Sequence, residues 1–305
     1  MSRTRQLIDA LRDQMGGSAP LPPPPPLPRV AEPPARVYPR RAEEKSAYAR
    51  EASAHTTALL GIGHVGTRYA TDVVLQFQAE LAVAHEAVGQ ELPDDWAGKS
   101  GLISLQSRVQ SHREFLLRPD LGRRLSDDSL GVLRTAVRRG VDVQPILADG
   151  LSAVACMQSG LELLAEFTKA CEARGLSVGT PMCAKFARVW LEDEIGYEVQ
   201  AKVAAILLGE RPGLGTGDGL SAYLVYAPAI GKTDGDRNMM SNIHARGTVP
   251  KVAGDRLAVL SKAMIDQRTS GVALDLSHLT AELGEAAGRH HRAPQERVRL
   301  VEVQS

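Results

Sequence analysis

Apolar residues run unbroken from Val203 to Leu208, reading VAAILL. A strand with no alternation is one buried on both faces, as in a parallel sheet between two helix layers. Strand and helix signals alternate on either side of it. Val141 to Ala148 reads as a strand, although Pro145 argues against a fully paired central position. Ser152 is suited to cap a helix from Ala153 to Arg174, which Gly175 stops. A second strand falls within Ser177 to Val189, with Leu191 to Gly196 turning away, and Ala222 to Ala227 makes a fourth. Thr233 to His244 reads as a polar loop, and Asp255 to Gln267 as a closing helix. Repeated strand–helix units predict an α/β fold with a mostly parallel sheet covered by helices on both faces.

Upstream, residues 41–140 show helical periodicity and almost no strand signal. Thr71 to Val88 places Val74, Leu75, Gln78, Leu81, Ala82, His85 and Val88 along one stripe. Leu102 to Leu117 and Asp128 to Arg139 are two further helical segments. Turn-rich connections at Glu91–Asp95 and Arg118–Gly122 suit a small helical bundle. Residues 1–16 read as a short amphipathic helix with Leu7, Ile8, Leu11 and Met15 on one face. So short a helix needs a partner surface. Residues 17–47 hold the cluster Pro20 to Pro28, an extended spacer. Periodicity fades after about Leu276, so residues 276–305 read as a tail, with Arg289-His290-His291-Arg292 solvated.

A chain of 305 residues can bury a sizeable core. Its 36 basic and 36 acidic residues cancel, which argues against nucleic acid or an anionic membrane as partner. Cys156, Cys171 and Cys183 lack CxxC spacing and read as reduced thiols in a cytoplasmic setting. No run approaches the ~18 apolar residues of a membrane span, and the N-terminus lacks the apolar core of a signal peptide. The chemistry-bearing motifs of hydrolases, P-loop enzymes and zincins are missing. Gly61 to Arg68 is glycine-rich but lacks the dinucleotide spacing. No catalytic or metal-ligating residue is expected in this chain. What remains is a set of loops at one sheet edge: Asp149-Gly150, Arg188-Val189, Gly209 to Gly215 and Asp236 to His244. Open α/β sheets bind ligands beyond the carboxyl ends of their strands. This edge has mixed polarity and suits a large, neutral, hydrogen-bonding ligand. Its glycines would let backbone approach that ligand closely.

These loops carry a family resemblance. Val178–Pro181, Arg188–Gly196, Gly209–Gly215 and Ser241–His244 resemble the small subunit of ethanolamine ammonia-lyase, as do Leu117–Leu125 and Asp149–Ser152. The likeness spans roughly residues 54–273, in order and with similar spacing. It implies a helical domain, 48–139, followed by a Rossmann-like domain, 140–275. It also implies assembly with a large TIM-barrel subunit that supplies the substrate pocket and catalytic side chains. Adenosylcobalamin would lie between the two chains, and the complex would convert ethanolamine to acetaldehyde and ammonia by radical chemistry.

Carried over position by position, the cobalamin contacts fall on Val189, Glu210 and Met239. Val189 would pack on the corrin or its nucleotide tail, and Glu210 would accept hydrogen bonds from cofactor amides or hydroxyls. Relatives can carry cysteine at the Met239 position, and the 63–69 loop departs from an arginine-rich family pattern. Asn242-x-His244-x-x-Gly247 comes close to the D-x-H-x-x-G motif of other cobalamin proteins. Asparagine supplies no carboxylate to raise imidazole basicity, so His244 reads as structural. Some family members occupy microcompartments, and residues 1–15 have the form of a tag for shell proteins. Two other readings stand beside this one. A stand-alone Rossmann-like module for a nucleotide or phosphometabolite would need a glycine loop feeding a helix N-terminus. A scaffold tethering a barrel enzyme to a shell would leave the sheet-edge loops unused.

Overall fold

The computed structural model describes residues 47–53, 64–213, 217–277 and 279. The expected N-terminal helix, most of the proline-rich linker and most of the tail lie outside the described residues. In chain order come α1 (Ala47–Ser53), the hairpin β1 (His64–Val65) and β2 (Arg68–Tyr69), α2 (Thr71–Gly89), α3 (Trp96–Lys99) and β3 (Ile103–Gln106). Then follow α4 (His112–Leu117), α5 (Asp127–Ala136), β4 (Val143–Ala148) and α6 (Ala153–Ala155). Helix α6 passes through a π-helical turn, Cys156–Gly160, into α7 (Leu161–Ala173). The chain closes with β5 (Met182–Lys185), α8 (Leu191–Glu198), β6 (Val203–Gly209), β7 (Leu220–Tyr226), β8 (Arg237–Ile243) and α9 (Pro250–Gln267).

Six strands form one sheet in the order β3-β5-β4-β6-β7-β8. The pairings from β3 to β6 are parallel, and β6-β7 and β7-β8 are antiparallel. The sheet is thus mostly parallel, with an antiparallel flank. Period-two alternation splits β6 between two cores. Val203, Ala205 and Leu207 join α7 and α9 through Phe167, Leu163 and Leu257. Ile206 faces the other way, toward Leu133 of α5 and Ile195 of α8. Helices therefore cover both faces, as the unbroken apolar run requires. Ser152 caps α6 by accepting from Ala155 N–H, and Gly175 follows α7 with φ of 73°.

Five sequence expectations need correction. Leu102–Leu117 begins as the edge strand β3 and becomes helical only at His112, where Ser111 accepts from Glu114 N–H as a cap. Pro145 sits in a central strand, paired to Ala205 of β6, while the pairing of that strand with β5 begins at Ile146. The gap is filled by its neighbour: Gln144 Nε2 donates to Thr180 O at 2.9 Å, on the side where Pro145 has no N–H to give. Leu191–Gly196 is not a turn but most of α8. Thr233–His244 is mostly the edge strand β8, whose polar residues belong on a strand with one side to water. On α2 the apolar stripe faces solvent, with Leu75 and Leu81 exposed, while Ala84 and Ala87 are buried. Small side chains let that helix approach the body closely.

Candidate functional site

The exit of β5 is shaped by one buried acid. Asp149, directly after β4, accepts from Phe186 N–H at 2.7 Å and Ala187 N–H at 3.1 Å. This holds Phe186 at φ of 55° and delivers Arg188, Val189 and Trp190 to the carboxyl edge of the sheet. Burial pushes the Asp149 carboxyl up to about 6, with the two backbone N–H groups opposing.

The acids that follow Val189 point inward. Glu192 and Asp193 grip Arg237 at the start of β8, through Nη1 at 2.6 Å and Nη2 at 3.0 Å. Glu194 accepts from Arg124 Nη2 at 2.9 Å and from Leu125 N–H at 2.6 Å. These three carboxylates are structural anchors. Val189, half-buried, packs against the buried cluster that holds Ile206, as Leu208 and Tyr223 also do.

Gly209, at the start of the glycine loop, packs against the chain itself. A Cβ on Gly209 would meet Ser152 O at 2.2 Å and Asp149 O at 2.3 Å, so its bare face is filled by the chain itself. Glu210 N–H then donates to Gly219 O at 2.9 Å, closing a hairpin into β7. The next described element after the loop is the strand β7, not the helix N-terminus that a phosphate-cradling module needs. The Glu210 carboxylate accepts from Ser221 Oγ.

Two of the three sequence-predicted residues, Glu210 and Met239, lie beside Tyr223, and the third, Val189, packs against the same buried cluster as Tyr223 does. Burial raises the Tyr223 phenol, and the nearby Glu210 carboxylate adds to the push. Met239 stands opposite Tyr223 in the β7–β8 register and is 51% exposed. The patch combines apolar surface from Val189, Leu208 and Met239 with a carboxylate and a phenol. Tyr223 was missed because AYLVYA reads only as an apolar strand; nothing local marks its outward face.

His244 is buried, with both ring nitrogens used. Nδ1 accepts from Arg246 N–H at 3.2 Å, which leaves the proton on Nε2, 2.6 Å from Asn242 Oδ1. It has no nitrogen to offer a metal. Cys156, Cys171 and Cys183 are free and buried. Among the described residues no cluster suits a metal ion, and no helix is long and apolar enough to cross a membrane. A cavity of about 480 Å³ opens between α2 and the hairpin, lined by Val83, Ala87, Val154, Gly213 and Asp218 among others. None of Val189, Glu210 and Met239 lines it.

An inward-facing acid cluster, a carbonyl-packed glycine and the surface patch around Tyr223 all lie inside one family match. The ethanolamine ammonia-lyase light chain (EutC) model matches residues 46–275, well over half of the chain. The chain belongs to the ethanolamine ammonia-lyase light-chain family.

Proposed function

We propose that this chain forms one side of an adenosylcobalamin site, completed by the large barrel subunit of ethanolamine ammonia-lyase. The placing of Glu210 and Met239 beside Tyr223, over a buried cluster that Val189 also packs against, carries the reading. Cobalamin is a broad apolar macrocycle rimmed with amides and bearing a nucleotide tail. A half-exposed apolar patch beside a carboxylate acceptor and a phenol fits that chemistry. When bound, the cofactor supplies the radical chemistry for deaminating ethanolamine, and protein groups position it. In this chain Val189, Leu208 and Met239 lie against the ring or tail and exclude water. Glu210 accepts from amide or hydroxyl donors, held in place by Ser221. Asp149 fixes the loop that presents Val189. The substrate pocket and catalytic side chains belong to the large subunit.

Spectral titration of the two-subunit complex with adenosylcobalamin tests this. Val189→Asp and Glu210→Gln should each weaken binding roughly tenfold or more, the worth of a hydrogen bond to a charged group or a lost apolar contact. Unchanged binding in both variants overturns it. For residues 1–15 we propose a tag that docks on microcompartment shell proteins. Deleting residues 1–17 should abolish co-localisation with shell proteins, and unchanged co-localisation refutes the tag.

A further inference from the structure

The charges of three arginines act together at the same edge, and among the described residues no carboxylate forms an ion pair with Arg123, Arg188 or Arg211. The Arg188 guanidinium lies 4.1 Å from the Phe115 ring and donates through Nη2 to Phe115 O at 2.7 Å. Its Nε is buried with no hydrogen-bond partner among the described residues. The Arg188 stem crosses Gly122, where a Cβ would fall 2.7 Å from Arg188 Cγ, and Arg188 N–H donates to Gly122 O at 2.8 Å. That brings it beside Arg123, whose guanidinium sits 4.4 Å over the Trp190 ring. Arg211 follows Glu210 in the hairpin and is exposed.

Arg124, Arg174 and Arg237 each close on a carboxylate elsewhere in the fold. These three do not. Burial lowers the Arg188 pKa, and the charges of Arg123 and Arg211 lower it further. Asp149 opposes this, yet its oxygens already serve Phe186 and Ala187 N–H. Gathering like charges around a part-buried guanidinium is unfavourable unless an anion completes the site. Guanidinium groups match phosphate oxygens in charge and in donor geometry.

We propose that Arg123, Arg188 and Arg211 form an anion subsite for a phosphate ester, taking the phosphodiester of the cobalamin nucleotide tail. The assignment rests on the cobalamin reading. It extends that site from the Tyr223 patch toward Trp190, so the ring and the tail would have separate anchors on this chain.

The test compares adenosylcobalamin with adenosylcobinamide, which lacks the nucleotide and its phosphate, by spectral titration of the two-subunit complex. Arg123→Gln/Arg211→Gln should weaken cobalamin binding roughly tenfold to a hundredfold and leave cobinamide binding unchanged. Arg138→Gln, removing an exposed arginine elsewhere, should change neither. Inorganic phosphate should compete with cobalamin in the wild type and lose that effect in the double variant. Equal loss for both cofactors, or no loss for either, overturns the subsite while leaving the cobalamin reading intact. Phosphate that binds at these arginines without displacing cobalamin assigns them to a free anion and overturns the tail contact. If the wild-type complex takes up neither cofactor, the cobalamin reading itself fails, and the subsite falls with it.

Discussion

Removing Arg237 should cost far more than removing either acid that it holds. Its side chain is 2% exposed, and those of Glu192 and Asp193 are 0% and 4% exposed. Arg237→Met leaves two carboxylates buried with no cation. Breaking a buried pair from one side costs about 3–5 kcal/mol, a large part of the ~5–15 kcal/mol that holds a typical domain together. Glu192→Gln instead removes one of two negative charges on a single guanidinium and keeps an amide to bond with. That change should stay within about 1 kcal/mol of wild type. Burial raises Glu192 well above the carboxylate range, with Arg237 pulling it back and Asp193 adding to the push. A carboxyl raised in the fold binds its proton more tightly there than in the unfolded chain. Stability therefore grows as pH falls through the folded value, and the gain is complete below the unfolded value near 4.5. Without Arg237 the folded value rises further, so the Arg237→Met deficit should be largest at alkaline pH and shrink as pH falls and the acids take up protons. Urea unfolding followed by tryptophan fluorescence reads this directly, since Trp190 Nε1 donates to Asp234 beside the clamp at 2.6 Å. A deficit below about 1 kcal/mol that ignores pH would refute the reasoning.

Other outcomes follow from single contacts. Gly209→Ala would push a methyl into two carbonyl oxygens and should destabilise by about 1–3 kcal/mol in thermal unfolding. Gly131→Ala, in α5 with open space around it, should stabilise by up to about 1 kcal/mol. Carboxyl NMR should find Asp149 titrating near about 6, a signal that Asp149→Asn removes; because the folded value is raised, its contribution to stability falls as pH rises from about 4 to about 6 and is constant above that. Met239→Ala should leave unfolding within about 0.5 kcal/mol of wild type, given its exposure. It should nevertheless weaken adenosylcobalamin binding to the complex in the same titration used for Glu210→Gln.

Elements whose signal is local were legible in the sequence, and those completed by distant partners were not. Val203–Leu208 announced a strand buried on both faces because six apolar residues leave no other choice. Ser152 and Gly175 marked helix ends through their own side chain and backbone freedom. Pro145 misled, since its missing donor is replaced by the Gln144 amide, a substitution visible only once Thr180 is alongside. Arg237–Ile243 looked like a loop because an edge strand need bury only one side. Its anchor, Glu192 and Asp193, lies 45 and 44 residues away. Sequence cannot reveal that Asp149 and Ser152 carbonyls fill the space beside Gly209, so its bare face read as open to a ligand. Val189, Glu210 and Met239 came from family resemblance. Tyr223, opposite Met239 and beside Glu210, emerged only from the strand register.

The central claim is that this chain supplies half of a cobalamin site. The most direct test expresses the large barrel subunit with and without it, then measures adenosylcobalamin-dependent deamination of ethanolamine. The account predicts activity only when both chains are present, with the loss in Glu210→Gln and Val189→Asp tracking the loss of cofactor binding. Full activity from the large subunit alone would contradict it.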